Sequence, residues 1–218
     1  MSGAARSRNA GLIWADVLDT ASLNARPIAR YLAFMLVAGV IACYGVIDDN
    51  VILIVGAMAV APDLLPITAI GVGLVDRRPA LAARAFMTLA VGLAGAGAAA
   101  ALFALAQDQL DLIPSGFDLH ETGVLGSLTE VNNETIVVAL AAGVAGMLAL
   151  ETRASSAVGV AISVTTIPAV AYLGVAAGLG EFAAARGALG VLGTNVAMMV
   201  VGAVGTLVVQ RALAARGG

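Results

Sequence analysis

Lysine is absent from this 218-residue chain, and cysteine and histidine occur once each. Without lysine, and with eleven arginines scattered along the sequence, there is no basic patch for a nucleic acid to bind. Cys43 has no partner within the chain for a disulfide. His120 and Cys43 together offer too few nitrogen and sulfur ligands for a zinc or haem site, so neither a metal nor a cofactor is expected. Aromatic residues make up 4% of the chain and period-two alternation is missing, which argues against a transmembrane β-barrel with its aromatic girdles. Charge is scarce as well. At 11% charged and 61% hydrophobic residues, a water-facing surface cannot be covered, and the net charge of −3 does not change this. The solvent that fits the composition is lipid.

What is present is a series of apolar runs near the twenty residues that a helix needs to cross about 30 Å of hydrocarbon. An all-α integral membrane fold of about six transmembrane segments follows: Tyr31 to Ile47, Val51 to Val75, Ala85 to Ala106, Thr135 to Leu150, Ser155 to Leu179 and Gly187 to Val209. Segments two and five hold prolines near their middles, Pro62 and Pro66 in one and Pro168 in the other, and both are expected to be proline-broken. Residues 1–28 carry arginines but no apolar core of a cleaved signal peptide, and read as a cytoplasmic tail or an interfacial helix around Trp14, Val17, Leu18 and Ala21. Residues 212–218 form a second short tail.

Arginine placement sets the orientation. Arg26 and Arg30 precede segment one, Arg77, Arg78 and Arg84 follow segment two, Arg153 follows segment four, and Arg211 and Arg216 follow segment six. The alternate connections are acidic, with Asp48 and Asp49 in one and Asp108, Asp111, Asp118, Glu121 and Glu130 in another. Both termini are therefore expected in the cytoplasm, with Arg186 the one discordant residue. The acidic loop 107–133 divides the transmembrane domain 29–211 into halves 29–106 and 134–211. Each half runs plain segment, proline-bearing segment, glycine-rich segment, and Pro66 to Arg84 has the same spacing as Pro168 to Arg186. A unit of three crossings repeated in tandem is necessarily inverted, a construction common in secondary transporters. Glycine and alanine stripes in both halves fit close helix packing, and leave small-residue faces enough for a homo-oligomer.

Asp63 lies thirteen residues into segment two, near the expected midplane, where a carboxylate costs at least about 2.5 kcal/mol. No basic residue lies within an apolar run to neutralise it. It must be protonated, bonded to hydroxyl and backbone donors, or paired with a cation. Pro62, Pro66 and Pro168 lack N–H groups, which deprives the carbonyls of Met58, Pro62 and Val164 of helical partners and makes them candidate ligands. Thr165 and Thr166 precede Pro168 at a similar depth, and Asn195 in the last segment carries an amide that its own helix does not readily satisfy. Asp63, these carbonyls and the side chains of Thr165, Thr166 and Asn195 form the expected substrate- or ion-binding site.

The run from Val55 to Ile67 (VGAMAVAPDLLPI), followed by Val158 to Pro168 (VGVAISVTTIP) and Asn195, resembles the bacterial multi-pass membrane family catalogued as domain of unknown function 389. That resemblance extends over about Tyr31 to Arg211 and implies the helical membrane fold and a bacterial inner-membrane location; it names no substrate. A transporter or channel for a small solute or ion is the leading expectation, with neutral or cationic solutes favoured by the absence of basic residues in the core. A non-transporting scaffold or accessory subunit is the alternative, and an enzyme is not expected, because no HExxH, GxSxG or second buried acid is present.

Overall fold

The computed structural model describes residues 28–119, 130–152 and 155–216, with side chains described except at 28, 151–164 and 216. The tail 1–27 therefore lies outside the described residues, as does His120. Seven helices are present among the described residues: α1 Ile28–Ile47, α2 Val51–Val60, α3 Leu64–Val75, α4 Pro79–Gln109, α5 Asn133–Thr152, α6 Ser155–Gly178 and α7 Phe182–Arg216. Four of them (α1, α4, α5 and α7) are long and apolar enough to cross a membrane, and the pair α2–α3 adds a fifth span if its two helices count as one. The described apolar part of α6, Thr165–Gly178, is shorter.

Local chemistry accounts for most of the boundaries. Asn50 opens α2 by accepting hydrogen bonds from the amides of Ile52 and Leu53 (3.0 and 3.3 Å). Pro79 stands at the start of α4, where its missing N–H costs nothing. Helix α4 reaches Gln109 and α7 reaches Arg216, beyond the apolar limits at Ala106 and Val209, because the polar residues that end those runs are still good helix formers.

The two proline-bearing segments behave differently. In the first, Ala61 is extended (φ −71°, ψ 123°), as the residue before a proline prefers, and its N–H makes the last bond of α2, to the Ala57 carbonyl at 3.1 Å. The chain restarts as α3 at Leu64, bent by 54° from α2. Pro66 is the third residue of α3, where an N–H has no partner inside the helix in any case. In the second segment, α6 runs unbroken through Pro168. The expectation of two broken segments is corrected to one: a lone proline is absorbed within a helix, whereas Pro62 lacks a helical residue before it and Pro66 suits a helix start.

Packing is close where side chains are smallest. A Cβ added at Gly39 of α1 would overlap the backbone of Ala96 in α4, and one at Gly143 of α5 would overlap the backbone of Met199 in α7. Two further crossings use the same device: a Cβ at Gly71 of α3 would stand 3.1 Å from the Ala203 methyl of α7, and one at Gly174 of α6 would stand 2.7 Å from the Ala100 methyl of α4. Apolar helices gain little from hydrophobic association in lipid, so such backbone contact carries the packing. Between α4 and α7 lies an apolar groove of about 760 Å³, lined by Phe86, Leu93 and Ala94 on one side and Leu189, Val196 and Ala197 on the other.

Polar ties join the connections to the bundle. Arg211 of α7 forms an ion pair with Asp76 and donates to the Val75 carbonyl at 3.2 Å, fastening the end of α3. The fully buried Tyr172 of α6 donates to the Leu119 carbonyl at 3.0 Å, which ties the acidic connection to the bundle near its middle.

Enlarging Gly143 should therefore be costly in a way that enlarging Gly56 is not, since a Cβ at Gly56 meets nothing within 4 Å. We expect Gly143→Leu to lose about 1–3 kcal/mol of stability and Gly56→Ala to be neutral or slightly stabilising, read as melting temperature in detergent.

Candidate functional site

The break between α2 and α3 leaves Asp63 at the N-cap of α3 with helical backbone angles (φ −76°, ψ −16°), but its side chain does not cap the helix. It turns inward. Asp63 is 0% exposed, and its Oδ2 accepts a short hydrogen bond from the Thr166 hydroxyl of α6. The partner is also 0% exposed, so a carboxyl group and a hydroxyl from opposite halves of the chain meet in the interior.

Most threonine hydroxyls in apolar helices bond a carbonyl of their own preceding turn. Thr68 does so with Leu64 and Leu65 (2.9 and 3.0 Å), and Thr194 does so with Gly190 at 3.0 Å. Thr165 and Thr166 reach across the bundle instead: the Thr165 hydroxyl donates to the Met199 sulfur of α7 at 3.4 Å. Beside them Asn195 of α7, 2% exposed, donates its Nδ2 to the Thr165 carbonyl at 2.6 Å. That carbonyl lies in the turn that Pro168 loosens, three residues before the proline. Asn195 Oδ1 is buried and has no hydrogen-bond partner.

A further group is Tyr31 of α1. Its ring lies against Gly92 of α4, where any Cβ would collide with it, and its hydroxyl is buried without a hydrogen-bond partner. This hydroxyl is close enough to Asp63 for the two to interact electrostatically. Sequence reasoning took Tyr31 only as the beginning of a span. Its one signal was a phenol among apolar residues, and its use depends on the absence of a side chain at Gly92.

Of the residues expected at the site, Asp63, Thr165, Thr166 and Asn195 are brought together by direct hydrogen bonds in a chain from α3 through α6 to α7. Met58 is buried in the last turn of α2, where its carbonyl faces Pro62 and receives no amide from it. Pro62 lies in the break itself, so its carbonyl is not a helical one orphaned by Pro66; that expectation is corrected by the helix ending at Val60. Val164 lies in α6 and its side chain is outside the described residues.

Electrostatically the site is one-sided. Its side chains offer a single carboxyl, hydroxyls and an amide, and arginines appear only toward helix ends, as with Arg211 beside Asp76. Such an arrangement can bind a proton, a cation or a hydrogen-bond donor.

Residues 58–201 match the sequence profile of the family described as Domain of unknown function (DUF389). The chain belongs to this family. Within the matched stretch lie Met58, the helix break, Asp63, Thr165, Thr166 and Asn195, whereas Tyr31 falls before it. No curated protein and no solved structure matches the chain.

Replacing Thr166 should expose how much Asp63 depends on it. Thr166→Val keeps the shape and removes the donor, and should lower stability by about 1–3 kcal/mol, while Thr166→Ser should stay near wild type. Thermal unfolding of the three proteins in one detergent checks this.

Proposed function

We propose that this DUF389 protein is a membrane transporter or channel for a small solute or ion, with its binding site at Asp63, Thr165, Thr166 and Asn195. The carrying observation is the fully buried Asp63, set in a helix break and hydrogen-bonded to the other half of the chain. A carboxyl group so placed costs several kcal/mol in an apolar interior and contributes nothing to packing that a leucine would not. A scaffold or accessory subunit has no use for it.

The proposal includes six spans arranged as two inverted repeats, α1 to α4 and α5 to α7, with α2 and α3 together as one span. Register supports it. Asp63 and Thr166 are 103 positions apart, and the same offset relates residues facing each other across the apolar groove: Phe86 to Leu189, Leu93 to Val196, and Ala94 to Ala197. Close helix contacts follow suit, since Gly71 on Ala203 becomes Gly174 on Ala100 when 103 is added to the glycine and subtracted from the alanine. Such an exchange of partners is what a two-fold axis between the halves requires. In this register Asp63 and Thr166 are counterparts and touch, as residues on such an axis at the midplane of an inverted repeat would.

The arginine-rich connections support a reading with both termini on the cytoplasmic side, in a bacterial inner membrane as the family resemblance implies. The exposed apolar helix faces, with Phe86, Leu102 and Leu213 among them, suit lipid and a second copy of the chain alike.

Reconstituted into liposomes, the wild-type protein should catalyse flux of a solute or ion from a panel of amino acids, nucleosides, carboxylates and monovalent and divalent cations. Asp63→Asn should abolish that flux. A panel without any flux, together with a stable and fully functional Asp63→Leu in the cell, would favour the scaffold reading.

A further inference from the structure

Which atoms of the site still lack partners narrows what it holds. Asn195 spends its only donor group on the Thr165 carbonyl, and its Oδ1 is left buried and unbonded. An amide oxygen accepts hydrogen bonds or coordinates cations and does nothing else. The missing partner is therefore a donor or a positive charge. The Tyr31 hydroxyl, likewise buried and unbonded, can lend its oxygen lone pairs to the same partner. Asp63 supplies a carboxylate, and the Thr166 hydroxyl, which donates its hydrogen bond to Asp63, keeps oxygen lone pairs able to accept.

The break adds main-chain oxygens. The C-terminal end of α2, whose Met58 carbonyl has no N–H to receive from Pro62, opens onto the segment that carries Asp63. Helix C-termini carry partial negative charge, and broken helices commonly turn such carbonyls toward cations. All these groups are hard oxygens, with no sulfur or imidazole ligand among them except the Met199 sulfur already occupied by Thr165.

Charge fixes the valence. Among the described residues Asp63 is the sole acid of the buried cluster, and no group of three or more His, Cys, Asp or Glu side chains is assembled. One carboxylate balances one positive charge; a divalent ion would leave a net charge in a medium that screens it poorly.

We infer that the buried site binds a monovalent cation, coordinated by Asp63, Thr166, Asn195 Oδ1, the Tyr31 hydroxyl and the carbonyls ending α2. The inference rests on the transport site proposed above and specifies its ligand. Two sources share this chemistry: an alkali metal ion, and an ammonium group, free or carried by a small amine.

The test uses purified full-length protein in detergent at constant ionic strength, with choline chloride replaced stepwise by sodium, potassium or ammonium chloride, and calcium chloride as a further arm. Melting temperature is the readout, since a ligand that binds only the folded state raises it saturably. A saturable rise with sodium or potassium identifies the alkali ion, and one with ammonium identifies the protonated nitrogen. Either rise should vanish in Asp63→Asn. In Tyr31→Phe, which keeps the ring on Gly92, the half-saturating concentration should increase about tenfold, the scale at which loss of a supporting oxygen weakens cation sites. A response to calcium alone, a rise that survives in Asp63→Asn, or no salt-specific response at all overturns the inference. Should Asp63-dependent flux of a neutral solute be observed beside such a result, the cation assignment fails and the transport reading stands; absence of both removes the two together.

Discussion

The hydrogen bond from Thr166 to Asp63 is the constraint around which the interior is organised. An apolar bundle has no general reason to break a helix after ten residues, yet α2 stops at Val60 and α3 begins at Leu64. The break delivers one carboxyl group to the centre. Everything near it is arranged to tolerate that group: a hydroxyl that leaves its own helix to donate, an asparagine that steadies the neighbouring turn, and a glycine at position 92 that admits a phenol. Glycine and alanine contacts elsewhere serve the same end, since backbone-to-backbone crossings at Gly39 and Gly143 hold the helices close enough for short side chains to meet.

Much of this was legible in the sequence, for identifiable reasons. A lone acid in a long apolar run declares its own cost, so Asp63 stood out without any structure. Asn195 did so more weakly, as an amide that a helix cannot satisfy. Thr165 and Thr166 could be named only by depth, because whether a hydroxyl bonds its own turn or reaches across depends on what faces it, and Thr68 and Thr194 show the other outcome. Tyr31 escaped because its role is created by a neighbour 61 positions away, Gly92, and no local pattern encodes that crossing.

The prolines mark the limit of local rules. Pro62 and Pro168 look alike in sequence, each in the middle of an apolar segment of about twenty-five residues, and each removes one amide. One ends a helix and the other is carried through. The difference is Pro66, four positions after Pro62, which suits the first turn of a new helix and so offers the chain a restart that Pro168 lacks. Helix limits differed for a related reason. Apolar runs mark only hydropathy, whereas α4 and α7 continue into polar residues, and hydrogen bonding within a helix is indifferent to that change.

The ion pair of Arg211 with Asp76 carries one more implication. On the proposed repeat, the counterpart of Asp76 is Leu179 and that of Arg211 is Asp108, so those two positions cannot repeat the ion pair. An inverted duplication makes the two faces of a membrane protein alike in backbone, and alternating access between them would then be evenly balanced. An ion pair without a counterpart would tip it. With Arg211 39% and Asp76 14% exposed, the pair is worth on the order of 1 kcal/mol or less, which in an alternating-access protein would be a bias of at most about fivefold. Being partly exposed, the pair weakens as salt rises, so on the proposed transport reading this bias would shrink as ionic strength increases on the pair's side of the membrane.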